Sequence, residues 1–542
     1  MAGAWMLYNV RGAFGESLGN LRGGMPEGDE KGDGLFMAST DYVIGIDCST
    51  TATKAVVWDS KGREVAEGRA TFDLSSPQPD WGEQNAEDWW ESTKTALRRA
   101  AQVVDTRRIG AIGITHQRET FVCLNEEDHP IRPAILWLDS RARDEVARYG
   151  SEEVHRITGK PPNPTPGFYK MLWLKENEPT TLEQSARVVD VHAFLVHHMT
   201  GHWRTSWATA DPLGLVDMES FDWSDELLGM VGLDREQMCE LYAPGDVIGE
   251  LKDDVAREIG LPAGLPIISG VGDGQAAGLG ANITEPGRAY LNLGTAVVSG
   301  TYSENYSWGN EYRVLSGPIP RTYTLETLLA AGTYTVSWFV EKFAGVNAKE
   351  LGLDLSTEQI LETAAAQLDP GSGGLLAVPY WNNALTPYWD FNARGILFGM
   401  TGAHGKAHVY RAILEGIAFE QRLMTDGAES GLEKPVELVV ALGGGAQSSL
   451  WCQMIADVMQ RPVSVAQETE STCLGSGMLA AAASGLHGDI REAAEAMSGE
   501  RVRYEPDEKR AAVYDRIYSV YKEIYPSLRP LFPKLSDALK GA

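Results

Sequence analysis

A group of small and hydroxyl-bearing residues between two short apolar runs could bind phosphate. Asp47 lies at the end of the run 42–46, Thr50 and Thr51 follow it, and Lys54 opens the next run. Backbone N–H groups and hydroxyls in a tight hairpin can hold phosphate oxygens, and a lysine can neutralise their charge. A carboxylate at a strand end can hold Mg²⁺ through water. These residues predict phosphoryl transfer, although a hairpin that merely favours serine and threonine has the same composition.

Three charged side chains follow other apolar runs and could engage a molecule that carries hydroxyl groups. Asp273 comes after the run 265–271 in a glycine-rich loop, where it could take a proton from a substrate hydroxyl. An Asx turn is the structural alternative. Arg118 and Glu119 end another run, and they suit a polyol because arginine donates to hydroxyl oxygens and glutamate accepts from hydroxyls. The alternative for this pair is a surface ion pair, which contributes little energy.

Two glycine turns could lie beside a nucleotide. Gly294 and Thr295 form a short turn between predicted strands, and Gly444 and Gly445 precede a predicted helix that opens near Ser449. Glycine lets the backbone approach a ligand closely, and a helix N-terminus favours an anion. The pattern is not G-x-G-x-x-G, and no acidic residue follows at the spacing of a ribose partner, so a dinucleotide site is not predicted. Close packing of helix on strand is the alternative function of these glycines.

The elements that must position these residues indicate an α/β protein with two similar halves. Three runs within 42–71 predict a β-meander, Asn85 caps a predicted amphipathic helix, and 108–117 predicts a buried strand of a parallel sheet. A strand–turn–strand opening recurs near 288–303. The recurrence suggests a duplicated α/β unit with its boundary near Pro286.

Bulk properties narrow the class of protein. A chain of 542 residues is too long to fold around one hydrophobic core, so two domains are expected. The net charge of −28 argues against nucleic-acid or anionic-membrane partners, and no apolar run is long enough to predict a membrane span. Five cysteines without a C-x-x-C pair indicate a reducing, cytoplasmic protein. Residues 1–40, rich in glycine and mixed charge, are predicted to be a flexible tail.

The order and spacing of the motifs resemble the FGGY family of carbohydrate kinases. The C-terminal signature of that family is matched throughout 395–415, whereas the N-terminal signature around Lys170 agrees less well because Gly167 replaces the usual Pro, Ser or Thr. The resemblance covers about 42–525. The other segments that carry it, in the family's order, are DYVIGIDCSTTATKAVVWD, WGEQNAEDWW, THQRE, AILWLDSRA, KMLWLKEN, GVGDGQAAG, NLGT and ALGGGAQSSLW.

The resemblance implies an α/β fold of two ribonuclease-H-like domains, of the actin and hexokinase type, around a central ATP cleft. The N-terminal domain, for substrate and phosphate, would span 41–285, and the C-terminal, nucleotide-binding domain would span 286–530. The implied reaction moves the γ-phosphate of ATP to a hydroxyl of a small sugar or polyol. Mg²⁺ is the implied cofactor, and a homodimer is possible because dimers are common in the family.

The resemblance also implies a role for each residue singled out above. Asp273 would be the general base, and Asp47 would hold Mg²⁺ through water. The acceptor would face Arg118, Glu119 and Trp137 as well as Asp273. The residues implied around ATP are Thr50, Thr51, Lys54, Gly294, Thr295, Gly444, Gly445 and Ser449.

The predicted acceptor pocket departs from both of the family members that it resembles. Arg118 and Glu119 match the glycerol-kinase pattern, where xylulokinases usually carry Met and His. Thr165, Gly274 and Val298 align with a larger tyrosine, glutamine and phenylalanine of glycerol kinases, which predicts a wider pocket. We expect an acceptor of four or five carbons, with D-xylulose or a related ketopentose first and a glycerol- or erythritol-type polyol as the alternative.

Other functions would leave different traces in the sequence. A sugar-acid kinase would need a cationic pocket, and no cation besides Arg118 is apparent from the sequence. An actin-like ATPase without a small acceptor would need neither the Arg118–Glu119 pair nor the base Asp273. The intact Asp273 also counts against a degenerate kinase that acts only as a regulator.

Overall fold

The computed structural model describes residues 40–345 and 355–539. The flexible tail predicted for 1–40 therefore lies outside the described residues, apart from Thr40. No helix within the described ranges is long and apolar enough to cross a membrane.

Six strands form the first sheet, and they comprise Tyr42–Cys48 (β1), Ala52–Asp59 (β2), Glu64–Thr71 (β3), Ile109–His116 (β4), Val247–Glu250 (β5) and Pro266–Gly272 (β6). Their order is β5-β6-β4-β1-β2-β3. The strands β1, β2 and β3 are the predicted antiparallel meander, whereas β4 runs parallel to both β1 and β6. Nearly every residue of β4 is buried, as the continuous apolar run predicts for a central parallel strand.

Seven strands form the second sheet, and they comprise Arg288–Leu293 (β7), Val297–Ser303 (β8), Arg313–Ser316 (β9), Tyr323–Leu329 (β10), Leu438–Leu442 (β11), Val463–Ala466 (β12) and Glu500–Tyr504 (β13). Their order is β9-β10-β8-β7-β11-β12-β13. As in the first sheet, a meander of three strands (β7, β8, β10) is followed by two strands in parallel register (β11, β12). The predicted duplication is therefore present in the topology of the sheets.

The helices that matter for the site are Ala86–Ala101 (α1), Asp273–Gly280 (α2), Lys406–Ala428 (α3), Ser449–Met459 (α4), Ser471–Ala483 (α5) and Glu508–Leu528 (α6). Asn85 caps α1 by accepting from the N–H of Glu87. Trp89 and Leu97 lie on the face of α1 that is fully buried. Ser448 caps α4 by accepting from the N–H of Trp451. Both helices thus begin where their polar caps predict.

Shorter helices and strands lie elsewhere in the described residues. The remaining α-helices are Arg143–Tyr149, Glu152–Thr158, Gly167–Asn177, Pro179–Glu183, Val191–Thr200, Trp207–Ala210, Asp225–Val231, Asp253–Ile259, Thr333–Phe339, Thr357–Ala365, Ile490–Met497 and Leu531–Leu539. The remaining strands are Glu83–Gln84, Phe121–Leu124, Ala134–Ile135, Arg187–Asp190, Arg204–Ser206, Val216–Asp217, Asp222–Trp223, Glu240–Tyr242, Leu376–Val378 and Ile396–Phe398.

Helix α5 belongs to the second half of the sequence but packs on the first sheet. Trp58 Nε1 of β2 donates to the carbonyl of Cys473 at 3.2 Å, and Ser476 Oγ donates to the carbonyl of Ile46 at 3.3 Å. The approach is close enough that a Cβ on Gly45 would lie 1.9 Å from the Cys473 carbonyl oxygen. The domain limits near residue 286 stay a prediction, and α5 is one element whose contacts cross that limit.

Candidate active site

The β1–β2 hairpin carries the first predicted phosphate-binding group. Asp47 and Lys54 face each other across the two strands, and the N–H of Ser49 donates to the carbonyl of Ala52 at 2.9 Å to close the turn. Lys54 Nζ lies 2.5 Å from an oxygen of Glu470, the residue just before α5. The lysine predicted to meet phosphate is therefore held by a carboxylate from the second half of the sequence.

Asp47 has the properties of a carboxylate that could bind a cation. Its Oδ1 is shielded from solvent and has no hydrogen-bond partner among the described residues. Burial, and then the charges of Asp273 and Glu470, raise the pKa of Asp47 to about 8, against the opposing charge of Lys54. A divalent cation would offset this cost, so the carboxylate fits the Mg²⁺ that was predicted from the sequence.

Asp47 would not be part of a dedicated metal cage. Within residues 40–345 and 355–539 no group of three or more His, Cys, Asp or Glu side chains is arranged to hold a metal ion. Mg²⁺ is commonly held by one or two carboxylates, with water and substrate phosphates as its other ligands. One protein carboxylate therefore agrees with binding through water and with a metal that arrives with a phosphate.

Asp273 and Arg118 meet because the strands before them are parallel neighbours. Strands β4 and β6 end at the same edge of the first sheet, and Arg118 Nε lies 2.6 Å from Asp273 Oδ1. The same oxygen accepts from the N–H of Gly274 at 2.7 Å. The side chain of Asp273 is 42% exposed and that of Arg118 only 8%. Arg118 thus fixes a carboxylate that stays open to a bound hydroxyl.

Two buried side chains of the second sheet extend this pair into a network. Glu326 of β10 accepts from Arg118 Nη1 at 2.9 Å and from Arg313 Nε at 2.7 Å, and Arg313 Nη1 lies 2.6 Å from Glu119 Oε1. Although burial alone would raise it, Arg118 and Arg313 lower the pKa of Glu326 to about 2. Arg118 and Glu119 are therefore not the exposed ion pair considered as an alternative, since each bonds to a residue of the second sheet.

Arg313 and Glu326 are functional candidates that sequence reasoning missed. Both lie inside strands, and a charged residue within the run 323–329 was the available signal. Glu119, which was predicted, also has an unusual backbone, with φ of 58° in the left-handed region. A buried non-glycine residue held there indicates local strain, which tends to concentrate at functional sites.

A cavity of about 480 Å³ lies beside Asp273, between residues of the two halves. The four side chains predicted to face the acceptor all line it, namely Arg118, Glu119, Trp137 and Asp273. Its other lining residues are Leu138, Asp139, Ser140, Arg143, Pro164, Thr165, Ala296, Val298, Arg313, Leu328, Leu329, Ala330, Asn382, Asn383, Leu385 and Phe391. The cavity therefore combines charged and polar side chains with apolar ones, as a site for a small molecule with hydroxyl groups would.

Two expectations about this cavity were wrong. Thr165 and Val298 do line it, but Gly274 adds no space, because a Cβ there would lie 2.6 Å from Glu326 Oε1. The expectation of a single cation also fails, since Arg143 and Arg313 line the cavity too. Both errors arise from residues that are distant in sequence: Glu326 occupies the space beside Gly274, and Arg143 and Arg313 add positive charge to the cavity.

The predicted acceptor and phosphate groups are linked by hydrogen bonds. Trp137 Nε1 donates to Thr50 Oγ1 at 3.0 Å, which ties the cavity wall to the tip of the β1–β2 hairpin, where Thr51 is exposed. Lys170 is buried and donates to the carbonyls of Leu136, Trp137 and Thr165 at 2.7, 3.1 and 2.7 Å. This lysine fixes two segments of the cavity wall.

A second cavity, of about 660 Å³, lies in the second half. Gly294, Thr295, Gly444 and Gly445 line it together, as predicted for a nucleotide site, whereas Ser449 is exposed at the start of α4 and its neighbour Ser448 lines the wall instead. Its other lining residues are Leu293, Thr333, Val336, Ser337, Ser356, Glu358, Gln359, Glu362, Tyr410, Leu414, Gln447, Ser448 and Trp451.

Consecutive residues of one turn line the two cavities. Residues 293–295 line the larger cavity, and the next residue, Ala296, lines the acceptor cavity. A ligand with phosphates that follow this turn would bring its terminal phosphate toward Asp273. The arrangement can therefore support transfer of a phosphoryl group between two bound molecules.

Comparisons with known proteins find similar sequences and structures. Residues 42–280 match the N-terminal domain of the FGGY family of carbohydrate kinases, and residues 289–484 match its C-terminal domain. The xylulose kinase of Bacillus subtilis (strain 168) is 31% identical over 490 residues, covering 89% of this chain and 96% of that protein. The gluconokinase of the same strain is 25% identical over 520 residues, covering 93% and 99%. The solved structure of ligand-bound xylulose kinase from Lactobacillus acidophilus has a TM-score of 0.85 at 26% identity, covering 91% of this chain and 99% of that chain.

Proposed function

The chain belongs to the FGGY family of carbohydrate kinases and is a phosphotransferase with an alcohol group as acceptor, and from this premise we propose that it phosphorylates a terminal hydroxyl of a ketopentose, with D-xylulose as its preferred acceptor. The observation that carries the proposal is that the turn 293–296 contributes residues to both cavities, with the exposed carboxylate of Asp273 beside the acceptor cavity.

In the proposed reaction, Asp273 acts as the general base. The acceptor hydroxyl gives its proton to the carboxylate of Asp273 as its oxygen attacks the γ-phosphorus of ATP. The bond from that phosphorus to the β–γ bridging oxygen breaks, and ADP leaves with the electron pair. Arg118 orients the carboxylate, while Arg313 holds Glu119 at the cavity wall. Bound Mg²⁺, held by Asp47, would neutralise charge on the phosphates.

The size and the wall of the cavity support a ketopentose. A volume of about 480 Å³ exceeds what glycerol needs, and Thr165 and Val298 leave open the space that larger side chains would fill. Arg118 and Glu119 lie at the same wall, where they can bond to several hydroxyls of one acceptor. A glycerol- or erythritol-type polyol is the alternative acceptor, and the xylulose kinases among the relatives favour the ketopentose.

A sugar acid is the second candidate acceptor, and Arg143 is the observation that favours it. Arg143 lines the cavity, its side chain is 58% exposed, and its Nη2 lies 3.5 Å from Asp80. Such a guanidinium could bind the carboxylate of a sugar acid. The similarity to gluconokinases points in the same direction.

We further propose that the protein acts in the cytoplasm. All five cysteines lie in the described part of the chain, where each is buried and none forms a disulfide. Free thiols of this kind are typical of a reducing compartment.

The polar acceptor cavity supports a kinase over an actin-like ATPase, because an ATPase without a small acceptor would need no acceptor site.

The test is ADP release from Mg-ATP with D-xylulose, L-ribulose, glycerol, erythritol, D-gluconate or no acceptor. We expect the highest kcat/KM with D-xylulose and a loss of roughly 10³-fold in Asp273→Ala, because the base is removed. Asp254→Ala, at an exposed carboxylate in the first turn of the helix Asp253–Ile259, is the control and should behave as the wild type.

The other outcomes of this assay are equally specific. Preference for D-gluconate, lost in Arg143→Gln, would replace the ketopentose by the sugar acid. ADP release that does not depend on any acceptor would overturn the kinase proposal in favour of an ATPase. Full activity of Asp273→Ala would remove Asp273 as the base.

A further inference from the structure

Five charged side chains of alternating sign connect the two halves beside the acceptor cavity. They run from Asp273 through Arg118, Glu326 and Arg313 to Glu119, and their closest contacts are between 2.6 and 2.9 Å. The members Asp273, Arg118 and Glu119 follow strands of the first sheet, whereas Arg313 and Glu326 lie on strands of the second. We call these five residues the charge chain.

Glu326 is the centre of the charge chain. Its Oε1 accepts from Arg118 at 2.9 Å and from Tyr290 at 3.0 Å, while its Oε2 accepts from Arg313 at 2.7 Å. Its side chain has no exposure to solvent, and those of Arg118 and Arg313 are 8% and 6% exposed. Bonds between charged groups are strong where water is excluded, provided that every charge keeps its partner.

The packing around Glu326 shows that its position is specified. A Cβ on Gly274, the residue after the proposed base, would lie 2.6 Å from Glu326 Oε1 and 3.0 Å from both terminal nitrogens of Arg118. The backbone next to Asp273 can therefore approach the charge chain only because residue 274 is glycine. The turn that holds the base therefore fits closely against the carboxylate of Glu326 on the second sheet.

We propose that Glu326 is a positioning residue for phosphoryl transfer: it holds Arg118 against Asp273 and Arg313 against Glu119. The inference rests on the proposed function, since it takes Asp273 as the base and Glu119 as part of the acceptor site. Glu326 does not line the acceptor cavity, so its effect on the acceptor passes through the two arginines.

A purely structural role predicts a different result. If Glu326 only stabilised the fold, its loss would lower the melting temperature and would impair the use of the acceptor and the binding of ATP to the same extent. A positioning role affects the acceptor alone, because residues of the charge chain line the acceptor cavity and none lines the nucleotide cavity. The ratio of the two effects separates these roles.

The test compares Glu326→Gln with the wild type in full-length protein, using the best acceptor of the panel above. We expect kcat/KM for the acceptor to fall about 100-fold while KM for ATP stays within about twofold, since a displaced arginine misplaces the base and not the nucleotide. Glu420→Gln is the matched control: Glu420 is another buried glutamate, bonded to Tyr380 and Tyr521 at 2.7 Å each, and it lines neither cavity. Its acceptor kinetics should not change.

Tyr290→Phe gives a second measurement in case Glu326→Gln does not fold. This variant removes one hydrogen bond to Glu326 without changing charge, and kcat/KM for the acceptor should fall about fivefold with KM for ATP unchanged. Wild-type acceptor kinetics in Glu326→Gln, or in Tyr290→Phe if the former does not fold, overturn the inference. A rise in KM for ATP as large as the fall in kcat/KM for the acceptor overturns it in favour of a structural role. A wild type without acceptor dependence overturns the proposed function, and this inference with it.

Discussion

The buried oxygen of Asp47 is the clearest conflict between stability and function at the scale of single residues. An ionised carboxylate without a hydrogen-bond donor is costly in a buried site. Its neighbours Asp273 and Glu470 increase that cost, and Lys54, which could offset it, is already bonded to Glu470. A residue kept under these conditions is best explained by a ligand that brings positive charge.

Asp47→Asn should therefore weaken the response to Mg²⁺ while stabilising the protein without it. We expect kcat to fall roughly 100-fold and the half-saturating Mg²⁺ concentration to rise, because a cation ligand is lost. In metal-free buffer at neutral pH the melting temperature should rise by about 1–3 °C. With its pKa raised to about 8, the carboxyl group of Asp47 must take up a proton when the chain folds, and asparagine removes that cost. Steady-state kinetics over a range of Mg²⁺ concentrations would check the first effect, and calorimetry in metal-free buffer would check the second. A lower melting temperature in metal-free buffer would contradict this account.

The residues of the site that sequence could predict are those that end strands. Asp47, Arg118 and Asp273 follow apolar runs directly, and parallel strands bring their ends to one edge, so local pattern is sufficient. Arg313 and Glu326 lie within strands, and their partners Glu119 and Arg118 are 194 and 208 residues away in sequence. The charge within the run 323–329 marks Glu326 as unusual, but only the fold shows which residues these charges meet.

At the scale of elements, the helix Gly167–Asn177 fixes the acceptor cavity through one side chain. Lys170 is fully buried and bonds to three carbonyls of the segments that carry Trp137 and Thr165. Burial lowers the pKa of Lys170 to about 7, with Asp139 and Glu119 opposing the shift and Arg141 adding to it. An ammonium group supplies three N–H donors and a neutral amine two, so one carbonyl loses its donor above that pH.

This bonding predicts a selective effect on the acceptor. Lys170→Met should raise KM for the acceptor roughly tenfold and leave KM for ATP unchanged, because only the acceptor cavity loses its support. In the wild type, KM for the acceptor should rise as pH increases through about 7, and the variant should lack this rise. Lys175→Met, at an exposed lysine of the same helix, is the control. A KM that is independent of pH in the wild type would argue against this role of Lys170.

Elements themselves followed from sequence where a periodic pattern or a cap was present. The β1–β3 meander, the buried strand β4 and the capped helices α1 and α4 are confirmed, because burial and capping act within a few residues. The place where each helix packs depends on long-range contacts. Helix α5 is the example, since nothing in 471–483 shows that it covers the first sheet.

At the scale of the whole molecule, the predicted fold class of two ribonuclease-H-like domains is confirmed by the family and by structures of sugar kinases. The two sheets repeat one topology, and α5, which follows β12 of the second sheet in sequence, packs on the first sheet and on α2. Glycine makes this contact possible, because a Cβ on Gly45 or Gly113 would lie within 2.0 Å of a carbonyl oxygen of α5.

Gly45→Ala should therefore lower the free energy of unfolding by about 3 kcal/mol or more, since helix and sheet would have to separate. Gly229→Ala is the matched control, because Gly229 lies in the helix Asp225–Val231 and a Cβ there would have no described neighbour within 4 Å. We expect that control to gain about 0.5–1 kcal/mol from its lower backbone entropy in the unfolded state. Chemical denaturation would measure both values, and equal stability of the two variants would contradict the packing argument.

The position of α5 also sets the order in which the chain can fold during its synthesis. The strands of the first sheet are complete at Gly272, but the helix that covers Trp58, Val43 and Val56 begins only at Ser471. The sheet is therefore complete about 200 positions before its covering helix begins, which at about 5–20 residues per second is roughly 10–40 s of synthesis. During that interval the nascent chain presents an apolar sheet face to water, so the yield of folded protein in a cell depends on how well chaperones protect that face until translation passes residue 483.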